Sequence, residues 1–174
     1  HGTLKLSVVD AANGNSINSF KLECTNYEGF GTSLVGKIYN NTNTLQLPAG
    51  KYTFKITSDN YIQKYFNFEI VANTETSVIV MLSNELGDNE VRVIMQWGTE
   101  SNRTNPSDLD SHFYGTLTDG SPYHVYYREM GDRDIAWLDI DDTNYVGPET
   151  ITLDLSKFEE FTYSVHNYSN RYAD

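Results

Sequence analysis

Apolar residues in this chain recur at every second position, and no window combines the three-and-four spacing of a helix face with helix caps. Lys51-Tyr52-Thr53-Phe54-Lys55-Ile56-Thr57 sets Tyr52, Phe54 and Ile56 on one side of an extended segment. Leu4–Val9 and Phe66–Ile70 alternate in the same way, and Ser77–Leu82 is a continuous apolar run, as a more deeply buried strand would be. Val91–Trp97, Tyr123–Tyr127, Ala136–Ile140, Glu149–Leu153 and Phe161–His166 read as further strands, separated by loops containing Gly or Pro. Tyr, Phe, Val, Ile and Thr supply the β propensity. The predicted fold class is all-β.

A chain of 174 residues makes one domain or two small ones. The polar stretch Ser83–Glu90 interrupts the strands, and the charge changes there. Up to Gly87 there are six Lys, no Arg and seven acids, a net charge of −1. The remainder holds one Lys, five Arg and 17 acids, a net charge of −11. Two β-sandwich modules in tandem are therefore expected, over 1–86 and 87–174. So negative a chain with no basic run argues against nucleic-acid binding and suits a cation or neutral polar ligands. No apolar stretch is long enough for a membrane span. The single cysteine, Cys24, excludes an internal disulfide framework. His1 reads as a residue left by expression rather than as part of a leader.

In the first half, Val8-Val9-Asp10-Ala11 with Gly14 and Ile17 is followed by Leu47-Pro48-Ala49-Gly50 with Tyr52, Phe54 and Ile56, then by Asn60-Tyr61. This pattern resembles the carboxypeptidase regulatory-like domain, a transthyretin-like sandwich. The resemblance implies an appended module with no catalytic residues of its own. A collagen-adhesin type of sandwich with an internal isopeptide bond, using Lys5 or Lys21 with Glu69, is the alternative; exposed strand-face lysines are the simpler reading.

The second half carries, in order, Val93–Trp97, Asn105-Pro106-Ser107-Asp108-Leu109-Asp110-Ser111-His112, His124-Val125-Tyr126-Tyr127, Leu138-Asp139-Ile140-Asp141-Asp142, Tyr145-Val146-Gly147-Pro148-Glu149-Thr150-Ile151 and Tyr163-Ser164-Val165-His166-Asn167-Tyr168. The succession resembles the YfaP-like bacterial β-domains. That resemblance implies an exported or surface protein with neighbouring β-modules, so a longer multidomain chain, and one strand more than is present before Asp174.

In an extended segment Asp108, Asp110 and His112 share a face, and Asp139 shares one with Asp141. Gathered carboxylates repel unless compensated, and a hard cation with oxygen ligands is the natural compensation. The expected metal ligands are Asp108, Asp110, Asp139 and Asp141, and the expected ion is calcium. The competing reading is that these aspartates cap turns and bond backbone N–H groups. His112, His124 and His166 lie on separate strands and can meet Asp110, which leaves a transition-metal site open as a lesser alternative. No Gly-x-Ser-x-Gly elbow or phosphate-loop glycine pattern occurs.

Tyr126 belongs to the cluster Tyr123, Tyr126 and Tyr127, and a second cluster comprises Tyr163, Tyr168 and Tyr172. Aromatic rings beside polar groups suit sugar faces, although core packing uses tyrosine equally well. His112, His124, Tyr126, Glu149 and His166 are the expected ligand-binding residues. The sequence reading is thus a non-catalytic module pair of a secreted or cell-surface bacterial protein, binding a polysaccharide or a surface protein. The alternative is a hydrolase or metalloenzyme built on the Asp/His cluster.

Overall fold

A computed structural model describes residues 1–98, 106–144 and 146–170; Asn105, Tyr145 and Tyr172 of the motifs above lie outside them. The protein is all-β, of β-sandwich type, and has two short 3-10 turns but no α-helix among the described residues. No helix among them is long and apolar enough to cross a membrane. The chain divides into two compact units, one of His1–Asp10 with Asn15–Glu85, the other of Ala11–Gly14 with Leu86–Asp174.

The first unit contains β1 (Gly2–Asp10), β2 (Lys21–Gly29), β3 (Ile38–Asn40), β4 (Thr44–Leu47), β5 (Gly50–Thr57), β6 (Lys64–Ile70) and β7 (Glu75–Leu82). One sheet has the order β4-β1-β7 and the other β3-β2-β5-β6. β1 and β7 pair in parallel, and the end of β7 buries Val80, Met81 and Leu82 in succession, which accounts for its unbroken apolar run. The aromatic positions of β5 face inward as the alternation requires. Phe54 is edge-on to Phe66 and Phe68 and stacks on Tyr39 with ring centres 6.0 Å apart. Gly50 takes a φ of +151°, and a Cβ there would lie 2.6 Å from the Glu28 carbonyl, so the turn into β5 requires glycine. Lys5 is an exposed partner of Glu75 at 2.8 Å.

The second unit contains β8 (Glu90–Met95), β9 (Leu109–Leu117), β10 (Pro122–Val125), β11 (Gly131–Asp132), β12 (Ala136–Ile140), β13 (Glu149–Asp154) and β14 (Phe158–Asn167). Its sheets run β10-β9-β14 and β11-β12-β13-β8. Phe113 and Val125 from the first sheet meet Leu138, Ile151 and Leu153 from the second. This core holds seven buried apolar residues where the first unit's core holds fifteen, among the described residues. The buried polar side chains among the described residues, Asp110, Ser111, Glu149 and Thr150, all lie in this smaller core's unit.

Trp97 departs from the expected strand Val91–Trp97. β8 ends at Met95, so Trp97 lies past the paired strand, half-buried, close to the φ-positive Gly147 whose Cβ would come within 2.9 Å of its ring. Trp137 is also half-buried and carries the Arg133 guanidinium 4.8 Å above its ring.

Truncating Phe54, fully buried among four aromatic neighbours, removes a large apolar volume from a close-packed site. Phe54→Ala is expected to lower unfolding free energy by about 3–5 kcal/mol. Ile62→Ala, at a half-exposed position, is expected to change it by no more than about 0.5 kcal/mol. Urea unfolding followed by circular dichroism measures both.

Candidate metal centre

Alternation along β9 sends Phe113 and Ser111 toward the core and Asp110, His112 and Tyr114 to the opposite face. The pairing places Tyr114 beside His124 of β10 and Asp110 beside His166 of β14. Asp110 is nonetheless buried, and its Oδ2 lies 3.3 Å from Nδ1 of His166. From the facing sheet, Glu149 at the start of β13 reaches over, and its Oε2 accepts the backbone N–H of Ser111. The Ser111 hydroxyl is 2.8 Å from that of Tyr163. The turn that delivers Glu149 contains Gly147, with φ +70°, and a cis Gly147–Pro148 peptide.

The other oxygen of Glu149, Oε1, is buried and receives no N–H or hydroxyl among the described residues, while the Asp141 carboxyl lies within hydrogen-bonding reach of the Glu149 carboxyl. One oxygen each from Asp110, Asp141 and Glu149 lie within 4.8 Å of one another. Asp108 joins the edge of this group, and its Oδ1 is likewise buried without a partner. Asp108, Asp110 and Asp141, with Tyr127, Thr143 and Tyr168, line a recess of about 140 Å³. Tyr127 and Tyr168 stand edge-on to each other there, with ring centres 5.5 Å apart.

Burial governs the electrostatics. Desolvation pushes the Glu149 carboxyl up from its ordinary 4.5 to about 8, against the lowering effect of the Ser111 bonds and with a further rise from Asp141. Burial raises Asp108 and Asp110 as well, with neighbouring aspartates adding to it and His166 opposing it. It lowers both His112 and His124, in His112 with a contribution from His124.

The expected four-aspartate set is corrected in one member. Asp108, Asp110 and Asp141 come together, but Asp139 does not join them. It accepts from the Thr152 hydroxyl and lies 3.9 Å from Arg92 Nε, in a separate polar knot of the β12–β13–β8 sheet. The shared face expected of Asp139 and Asp141 fails because β12 is irregular between Leu138 and Ile140 and ends before Asp141. Glu149, expected among ligand-binding residues, takes the place that Asp139 leaves.

The remaining expected residues assemble on the neighbouring sheet face. His124 stacks between Tyr114 and Tyr126, with ring centres 4.0 and 4.3 Å away. His112 lies parallel to the same rings, and His166 meets it edge-on at 5.8 Å. Tyr114, Ser111, Thr143, Tyr127 and Tyr168 were not among the expected site residues. For Tyr114 the signal was available, since it stands two residues from His112 on one strand. Two larger hollows of about 410 Å³ lie on the first unit, but none of the buried unpartnered polar atoms belongs to it.

No protein-family model matches the chain, and no curated protein matches it.

The charge state of Glu149 makes stability depend on pH. Its folded pKa of about 8 lies above the ordinary 4.5, so the folded state holds the proton more tightly. That contribution is complete below the ordinary value and disappears as pH rises toward 8. His112 and His124 act in the opposite sense, but only near and below their ordinary 6.5. Chelator-treated protein should therefore melt at progressively lower temperature from pH 6.5 to 8. One proton limits the slope to about 1.4 kcal/mol per pH unit. Glu149→Gln should flatten the curve in that window, as differential scanning fluorimetry across buffers will show.

Proposed function

We propose that the second unit is a non-catalytic recognition module held together by a divalent cation, calcium by its ligand chemistry, bound at Asp110, Asp141 and Glu149 with Asp108 beside them. The observation that carries this reading is the Glu149 carboxylate. It is buried, one oxygen receives no N–H or hydroxyl among the described residues, and two other carboxylates converge on it. An ionised carboxylate in such a place costs several kcal/mol unless a proton or a cation compensates it. All the converging donors are oxygens, which favours a hard ion with a flexible shell over zinc.

The size of the recess supports recognition over turnover. A space of about 140 Å³ suits an ion with a few waters. Substrate-sized sites occupy roughly 300–1,000 Å³. Of the Asp/His cluster on which the hydrolase alternative was built, Asp139 is engaged elsewhere, in a bond from Thr152 and beside Arg92. Tyr127 and Tyr168 at the rim offer ring edges and hydroxyls to a larger ligand approaching from outside. The two-module organisation, together with the resemblance of the halves to carboxypeptidase regulatory-like and YfaP-like domains, supports a place in a longer secreted or cell-surface bacterial protein. A polysaccharide or another surface protein is the ligand we propose for it.

Melting of chelator-stripped protein with and without calcium tests the cation. At one hundred times its dissociation constant calcium should add about 2.7 kcal/mol. Asp141→Asn, at an exposed position, should remove most of that gain. A melting temperature indifferent to calcium would return the aspartates to turn and backbone duty. A glycan array run with and without calcium tests the ligand class.

A further inference from the structure

Asp110 belongs to a second group of donors that contains no other carboxylate. One ligand-capable atom each from Asp110, His112 and His166 lie within 4.8 Å of one another. The register brings them together: His166 of β14 is directly opposite Asp110 of β9, and His112 is the next residue along the same face of β9.

His112 is held for a purpose that its hydrogen bonds leave unfilled. Its Nδ1 is engaged, 3.0 Å from His124 Nε2 and 3.2 Å from the Tyr114 hydroxyl. Its Nε2 is buried and has no partner. With the proton on Nδ1 and donated to His124, Nε2 presents a lone pair. This is the arrangement of a metal-bound imidazole, whose second nitrogen is tied down by an outer partner that fixes ring and tautomer. His124 is itself clamped between Tyr114 and Tyr126, so the outer partner is rigid. His166 has 49% of its side chain exposed, which leaves the group open to solvent on that side.

We propose that Asp110, His112 and His166 form a binding site for a late first-row divalent metal of the zinc class, adjoining the carboxylate site and sharing Asp110 with it. Two imidazole nitrogens and one carboxylate oxygen select such ions over calcium and magnesium. Three protein ligands and a solvent-facing fourth position make it an open site, able to accept a donor atom from an incoming ligand. His124 is a positioning residue, acting through the ring of His112. The site goes beyond the carboxylate reading and does not require an ion at Glu149.

The test uses the full chain carrying His1→Ala, which removes the remaining histidine of the four and its terminal chelate. Chelator-treated protein is titrated with cobalt(II), read by visible absorption, and with zinc, read by calorimetry. One equivalent of each should bind, and cobalt should show the absorption of nitrogen-containing coordination. His166→Gln, at the exposed ligand, should weaken zinc by more than the ~10–100-fold that loss of an outer partner costs. It should leave a calcium response of the melting temperature in place, altered only through the contact of His166 with Asp110. Asp141→Asn should do the reverse. In the unsubstituted chain, paramagnetic shifts from cobalt should fall on the His112 and His166 ring protons, a reading independent of how any variant folds. Zinc affinity undiminished in His166→Gln, or no uptake of either metal at millimolar concentration, overturns the inference and leaves the calcium reading standing. Loss of the calcium response with zinc binding intact does the opposite.

Discussion

A carboxylate placed between two sheets is the constraint on which the second unit turns. Glu149 sits at the first position of β13, and its side chain spans to the backbone of β9 in the other sheet. One oxygen is satisfied by the Ser111 N–H, and one oxygen of the same carboxylate lies within 4.8 Å of oxygens of Asp110 and Asp141. An apolar residue there would fill space without linking the sheets. A carboxylate links them, but only when its charge is neutralised, and a proton and a cation are the two ways to do it. The lone proton solution leaves three further acids crowding a small recess. A cation would meet Asp110 and Asp141 together with Glu149.

The two units settle their stability by different means. The first has a broad apolar core, with Tyr52, Phe54, Phe66 and Phe68 interlocked between sheets and its charges on the outside as ordinary surface pairs. Its acids and lysines nearly balance. The second has a smaller core and a large negative excess, and its interior includes polar groups. A small core supplies little surplus against chain entropy, so unit-spanning polar contacts carry more of the burden there. Among the described residues, buried polar side chains concentrate in the unit with the smaller apolar core.

Strand positions were legible where apolar residues alternate or run together, as in β1, β5 and β7; β2, β3 and β11 lack that signal and were not read as strands. Tyr52, Phe54 and Ile56 face inward as their spacing demands. The same rule placed Asp110 with His112, and cross-strand pairing then brought His124 and His166 to the same face. It failed where the period breaks. Asp139 and Asp141 stand two apart, but the irregularity after Leu138 and the strand end at Ile140 send them to different surroundings. The strand expected to run to Trp97 stops pairing at Met95. That Glu149 would be an interior carboxylate was not legible at all. Its alternation partners Ile151 and Leu153 mark an inward face, yet an acid at the head of an apolar strand reads as a solvated end until the facing sheet is in place.

Asp110 is the one residue common to the oxygen-only group and the histidine group, and this makes it the point through which they interact. Its Oδ2 is turned to His166, so its negative charge is felt on both sides of β9's buried end. Charge drawn toward an ion on one side is less available to the other, and two cations so close repel in a medium that screens poorly. If both groups take ions, linkage requires that loading one change the affinity of the other by a reciprocal factor. The two groups meet on a single strand. Residues at alternate positions of β9 carry the carboxylate, the imidazole and the phenol in line, and the pairing of β9 with both neighbours fixes their spacing as rigidly as the sheet itself.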